Sequence, residues 1–452
     1  MAIVRPGRRG AAARFRAAAA ALVVAAILAA PAARAIEVQR VTSAGGIEAW
    51  LVEDHTNSII AVRFAFRGGA ALDPAGREGL AEMAVSLLDE GAGELGSEPF
   101  QRRLEDLAAR LHFDAESDTV GGELATLTRN RDAAFELLRL ALTRPRFDDE
   151  PVARVRSQML ARIKDEDDDP GAIAQRTLAR RLYPDHPYGR PVQGTAASVA
   201  AIGVEDLRRY VAGRLARDNL VVGVVGDITP AELAPALDSI FGALPARAQS
   251  WTVIEATPAV GGAGTVVRQP VPQSVIVFAQ RGVKRDDPDF YAAYVMNHIL
   301  GGGGFTSRLY DQVREKRGLA YSVYTTLDTR AAGALIRGGA GTANARAAET
   351  VRLVREEWRR MAAEGVTAAE LADAKTFLTG SFPLRFSSSG RIAGVLVDMQ
   401  LDRLGIDYLD RRNALIEAVT LDQVKWLARD LLEPARLTVV VVGEPDGLDD
   451  GH

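Results

Sequence analysis

The chain repeats itself, and the repeat limits the folds open to it. The alternating apolar run Ile59-Ile60-Ala61-Val62-Arg63-Phe64-Ala65-Phe66-Arg67-Gly68 returns as Ser274-Val275-Ile276-Val277-Phe278-Ala279-Gln280-Arg281-Gly282; aligning Arg67-Gly68 with Arg281-Gly282 sets an offset of 214 residues. A second pair of runs, 220–227 and 437–444, aligns Gly226 with Gly443 at an offset of 217. Two separate anchors that agree within three residues imply a duplicated domain of about 200 residues. A fold built once and used twice is therefore expected.

Each half has the same order of elements. A strand is followed by a helical pattern, a glycine-rich break, further helix and strand, and a closing strand. Helical periodicity marks 132–142, 149–164 and 204–215 in the first half, and 347–363, 368–380 and 421–432 in the second. This mixture predicts an α+β class: two homologous α/β-roll domains, each a mixed or antiparallel sheet with helices on one face. The periodicity breaks from Pro245 to Gly264, which places the domains at 36–245 and 265–446, with a linker at 246–264 and a tail at 447–452. A parallel doubly wound fold is the rival. It lacks its dinucleotide fingerprint: Gly301-Gly302-Gly303-Gly304 follows a helix and has no Gly-Lys-Ser/Thr ending. Those glycines read as a break before a helix capped at Thr306 or Ser307.

Residues 1–35 read as a secretory signal. Five arginines precede an apolar run from Ala17 to Ala30, and Ala33-Arg34-Ala35 supplies a cleavage site. Fourteen apolar residues fall short of the roughly 20 that span a bilayer, so no stable membrane anchor is expected. Export across the inner membrane to the periplasm follows. Loss of six arginines leaves 49 basic against 59 acidic residues, and no basic patch is interleaved with aromatics. Such a chain is poorly suited to nucleic acid.

The chain has no cysteine and five histidines, His55, His112, His186, His298 and His452, no two of which share a helical turn. Disulfides, thiolate metal sites and cysteine nucleophiles are excluded. Residues 76–91 predict an amphipathic helix with Leu80, Met83, Ala84 and Leu87 as its buried stripe. Its carboxylates Glu82, Asp89 and Glu90 read as a solvated face, or as weak ligands for a hard cation. His186 lies alone in a proline-rich loop and reads as structural. Ser387-Ser388-Ser389 lacks the Gly-x-Ser-x-Gly elbow of a serine hydrolase.

In the second half, a helix from about Thr306 should end at Gly318 and a strand should start near Ala320. Arg314 and Tyr321 then flank one helix-to-strand turn. A permanently charged fork and a phenol hydroxyl are suitable donors for a carbonyl or the oxyanion that develops on it. A capping arginine and a packed tyrosine are the plainer alternative.

The strand ending in Arg67-Gly68-Gly69, then Asp73, Glu78-Gly79-Leu80-Ala81 and a helix closing on Gly91, resembles the opening of the pitrilysin/insulinase family, zinc peptidases with an inverted H-x-x-E-H motif. The stretch Leu182-Tyr183-Pro184-Asp185-His186-Pro187-Tyr188-Gly189 and the 219–227 strand are similar too. The resemblance covers nearly all of 36–446 and implies the two-domain fold of mitochondrial processing peptidase-like proteins. It fails at the metal motif: Glu82 and Ser86 stand for the two histidines, Val85 for the glutamate, and Arg162 near the third ligand. Zinc catalysis needs three N/O ligands and a base, positions 82, 85 and 86 supply at most one carboxylate, and no metal is expected in this chain. The resemblance assigns Arg314 and Tyr321 to the catalytic chamber as a pair acting in trans. It implies a heterodimer with a homologous zinc-bearing subunit, zinc in that partner and a peptide as substrate. The alternative is a catalytically inactive scaffold or peptide-binding member.

Overall fold

The computed structural model describes residues 36–262 and 264–451. The expected signal segment, residues 1–35, lies outside the described residues, as do Ala263 and His452. The first half forms β1 (Gln39–Thr42), β2 (Glu48–Glu53), β3 (Ile59–Arg67), β4 (Arg110–Ala115), β5 (Thr119–Leu127) and β6 (Leu220–Gly226), ordered β1-β2-β6-β3-β5-β4 in one sheet. The second half forms β7 (Thr265–Arg268), β8 (Gln273–Arg281), β9 (Ala320–Arg330), β10 (Gly333–Ala343) and β11 (Thr438–Gly443), ordered β7-β11-β8-β10-β9. Apart from the extra edge strand β1, the two orders are the same. In each, one parallel pair (β2 with β6, β7 with β11) adjoins antiparallel neighbours.

The repeat read from the sequence reaches the pairing register. Ala61 opposes Val225 in the first sheet, and Val275 opposes Val442 in the second. The offsets of 214 and 217 carry one rung onto the other. Gly226 and Gly443, which anchored the alignment, both sit at φ near +140° (+140° and +146°). A Cβ at Gly226 would lie 2.1 Å from the carbonyl oxygen of Ile59, so this backbone corner admits only glycine.

Helices follow the predicted stretches: α2 (Arg131–Thr143), α3 (Asp149–Asp168) and α5 (Val204–Arg214) in the first half, and α7 (Ala347–Glu364), α8 (Ala368–Gly380) and α11 (Leu421–Leu431) in the second. They bury the even-numbered face of each central strand, with Ile60, Val62, Phe64 and Phe66 in one core and Ile276 and Phe278 in the other. The opposite sheet faces are also covered, by exchange. Helix α4 (Pro170–Leu182) of the first half lays Ala174, Leu178 and Leu182 on Val277, Ala279, Val440 and Val442 of the second sheet. Helix α9 (Ser389–Leu401) of the second half crosses β6 and β3. Gly223 permits that crossing, because a Cβ there would be 2.6 Å from the carbonyl oxygen of Ala393. Sheets buried on both faces explain why β6 and β11 read as continuous valine runs instead of alternating. Arg67 fixes the exchanged helix by donating to the carbonyls of Leu401 (2.8 Å) and Gln400 (2.6 Å) at its C-terminus.

The helix expected over 76–91 is shorter. Helix α1 spans Leu80–Val85. Its start is set by buried Asp73, whose carboxyl accepts from the N–H groups of Gly79 (2.9 Å) and Ala81 (3.1 Å). Beyond Val85 the chain tightens into three-residue turns, Leu87 to Ala84 (3.3 Å) and Leu88 to Val85 (3.1 Å), which bury both leucines. The stripe of Leu80, Met83, Ala84 and Leu87 is buried as the periodicity predicts. Residues 251–262 carry no helix or strand but are tied to both halves, Ala259 N–H to Leu182 O (2.7 Å) and Gly261 N–H to Thr438 Oγ1 (2.9 Å). Among the described residues no helix is long and apolar enough to cross a membrane.

Candidate functional site

The positions where a metal motif would lie are on α1 and α3. Glu82 is half-buried on α1, and Arg162 reaches it from α3 with Nη2 2.9 Å from Oε1. Val85 points into the core among the apolar side chains of the first half, while Ser86 is half-buried. The fold thus brings the first and last of the four positions together and turns Val85 away. Glu90, the other carboxylate a cation could have used, accepts from Arg154 Nη1 (3.1 Å). A guanidinium offers donors only, so each arginine satisfies its carboxylate without a metal. Among the described residues no three His, Asp or Glu side chains converge as a metal site.

The second-half stretch is wound differently from the plain helix expected over 306–318. The buried hydroxyl of Ser307 donates to Gly304 O (2.8 Å) and accepts from Tyr310 N–H (3.4 Å), starting the turn as a cap. From Tyr310 to Glu315 the backbone is π-wound, a form that recurs at functional sites. Gly318 (φ +59°) ends it in the left-handed region, donating to Arg314 O (2.8 Å). Strand β9 then opens with a bulge: Ala320 opposes Thr342 and Ser322 opposes Gly341, leaving Tyr321 between them unpaired and 82% exposed.

These two irregularities bring Arg314 and Tyr321 together. The guanidinium carbon of Arg314 lies 4.7 Å from the ring centre of Tyr321 and 4.9 Å from that of Tyr310. Both rings lie within cation–π reach of Arg314, which forms no ion pair with the described residues, so its N–H groups are left for a ligand. Arg314 and Tyr321 line a cleft of 420 Å³ with Gln273, Leu319 and Thr342. Tyr310 was missed in the sequence, although an aromatic four residues before an arginine is a legible helical pair. Arg308 anchors the turn from below, its Nε 2.6 Å and Nη2 2.7 Å from the two carboxylate oxygens of Glu370. Burial raises the Glu370 pKa, but this fork and the Thr367 backbone N–H outweigh it and hold the carboxyl at about 2.

The other singled-out residues are structural. His186 accepts from Tyr188 N–H at Nδ1 (3.1 Å), which puts its proton on Nε2, donated to Ile254 O (2.9 Å). Gly301 lies against β9, where a Cβ would come 2.5 Å from Thr325 Oγ1. Ser388 accepts from Arg391 N–H (3.4 Å) as the cap of α9. A further cavity of 740 Å³ lies between the halves, where the β4–β5 turn at Glu116–Asp118 and its repeat at Thr329–Ala331 both reach the wall. Burial and the carboxylates of Asp402 and Glu116 push Asp398 in that wall up to about 6. Its lining comes from scattered segments, so no local pattern announced it.

The sequence profile of the peptidase M16 inactive domain matches residues 201–378. The chain is 30% identical over 335 residues to the non-peptidase homolog YmxG of Helicobacter pylori, covering 74% of this chain and 77% of that one. It is 29% identical over 370 residues to an uncharacterized zinc protease of Mycobacterium leprae, covering 77% and 83%. The crystal structure of a peptidase M16 inactive domain from Pseudomonas fluorescens superposes with a TM-score of 0.85 at 29% identity, over 92% of this chain and 100% of that one.

Proposed function

Because the chain belongs to the M16 (pitrilysin/insulinase) peptidase family, as a member of its inactive type, we propose that it is the zinc-free partner subunit of an exported zinc endopeptidase. In this reading it contributes half of a chamber, and a homologous subunit with an intact H-x-x-E-H motif supplies the zinc and the glutamate base. The peptide adds as a strand to a sheet edge, and Arg314 and Tyr321 donate to the carbonyl at the scissile position. Removal of residues 1–35 on export to the periplasm belongs to the same reading.

One observation carries it: Arg314 stands between two tyrosine rings, beside a cleft, with no ion pair among the described residues. Arg308, the structural arginine of the same turn, is by contrast matched to the carboxylate of Glu370. The test is to mix this chain with a zinc-bearing relative and measure peptide cleavage. Activity only in the mixture, reduced by Arg314→Ala, supports the reading. Cleavage by this chain alone, or a mixture indifferent to the substitution, overturns it. A scaffold role is the second reading, favoured by the Glu82–Arg162 pair at the metal position. It expects a stable complex whose activity ignores Arg314 and Tyr321.

A further inference from the structure

Thr325 and Thr326 of β9 form one wall of a separate cavity of 240 Å³, closed by the helix α6 (Phe290–Asn297), the end of α8 and the helix α10 (Tyr408–Glu417). Its wall contains two arginines, Arg385 and Arg412, and no acidic residue. Arg412 is 5% exposed. It forms no ion pair with a described residue, and its donors go to neutral groups: Leu378 O at 3.1 Å, Asn413 Oδ1 at 3.2 Å and the Tyr294 hydroxyl at 3.5 Å. Its face stacks on Phe382, 3.9 Å from guanidinium carbon to ring centre. With three of its five N–H groups already donating in plane, the guanidinium keeps Nε–H and one Nη2–H for a ligand.

A guanidinium cannot neutralise itself by losing a proton, and burying its charge without an opposite one costs several kcal/mol. Carbonyls at the end of α8 supply only a partial charge. Arg385, exposed in the same wall, also forms no ion pair with a described residue, and the charge of Asp398 reaches it only beyond ion-pair distance. A second observation is independent of the arginines. Asn297, 6% exposed and in the same wall, has its Oδ1 buried with no hydrogen-bond partner among the described residues. A buried amide oxygen left in that state keeps its desolvation penalty unrecovered. A carboxylate or phosphate oxygen is an acceptor like Oδ1, so a bound oxyanion relieves the amide only in the flipped orientation that presents its N–H₂.

We propose that this cavity binds a small oxyanion, a carboxylate or phosphate group received by Arg412 and Arg385 with the Asn297 amide and Thr326 hydroxyl beside them. Forked guanidinium edges pair with either group bidentately. This site is separate from the Arg314 cleft and does not depend on a zinc partner.

Thermal unfolding of the chain, at constant ionic strength, tests it with sodium phosphate and sodium acetate each replacing chloride. The expected result is a saturable rise in Tm with one or both anions, and the responsive arm identifies the ligand class. Arg385→Gln should weaken that response about tenfold, the loss of one charged partner, while leaving Tm in chloride nearly unchanged. Arg412→Met should abolish it; if that variant does not fold, Arg385→Gln decides. A Tm equal in all three salts overturns the proposal. So does a non-saturating rise, which is general salt exclusion, or a saturable rise that Arg385→Gln leaves intact.

Discussion

The guanidinium of Arg162 lies 2.9 Å from the carboxylate of Glu82, joining the two ends of a metal motif with an internal cation. Two of the four motif positions meet, and a cation joins them. Replacing Glu82 and Ser86 by histidine should therefore not create a zinc site while Arg162 remains. Adding Arg162→Glu should, since two imidazoles and a carboxylate then converge. Zinc content of the purified variants, measured by mass spectrometry of the metal, checks this; zinc retained by the double histidine variant would refute it.

The ion pairs Arg162–Glu82 and Arg308–Glu370 should differ sharply in strength. Arg162–Glu82 has an arginine nearly half exposed, and Arg162→Ala should cost about 0–1 kcal/mol. Arg308 is almost fully buried against Glu370, and Arg308→Ala should cost about 3 kcal/mol by stranding that carboxylate. Denaturant unfolding of both variants separates them.

Acid unfolding gives a second handle on Glu370. Its folded pKa lies below its ordinary value of 4.5, at about 2. Its contribution is therefore present above pH 4.5 and lost as pH falls from there towards 2. Glu370→Gln should flatten the stability profile in that window, read as unfolding free energy against pH.

The architecture was legible because it is written in periodic residues. Strand runs and helix stripes recur twice, and the two offsets carry the rung Ala61–Val225 onto Val275–Val442. What escaped was set by contacts distant in sequence. The exchange of α4 and α9 depends on small residues, Gly223 and Ala279, that read locally as weak strand positions. The late start of α1 depends on Asp73, outside the expected helix, accepting from Gly79 and Ala81 six and eight residues ahead. Likewise, the spacing of Arg314 and Tyr321 placed them at one turn, but the π-winding and the bulge that make them meet have no periodic signature. The oxyanion cavity draws on four separate segments and has none either.

Two histidines should titrate on opposite sides of their common reference. Hydrogen bonds to Asp227, then Glu53, raise His55 above 6.5, while burial lowers His298 below it. By linkage, the His55 contribution is present below pH 6.5 and lost as pH rises through its folded pKa. That of His298 is present above 6.5 and lost as pH falls. Imidazole NMR titrations, assigned with His55→Gln and His298→Gln, should show the two midpoints flanking 6.5.

The cleft around Arg314 makes the last prediction, to be read in the mixture with a zinc-bearing subunit. Removing the guanidinium takes away a charged donor aimed at a developing oxyanion, so Arg314→Ala should lower kcat/KM by about 10²–10³. Tyr321→Phe keeps the ring that stacks on Arg314 at 4.7 Å and deletes only the hydroxyl; its loss should be smaller, about tenfold. Tyr310 touches Arg314 through its ring alone, so Tyr310→Phe should be near neutral, whereas Tyr310→Ala frees the guanidinium and should approach the Arg314→Ala value. The order of these four variants is the diagnostic. If Tyr310→Phe proved as damaging as Arg314→Ala, the tyrosine hydroxyl, and not the clamped arginine, would be the group that the substrate meets.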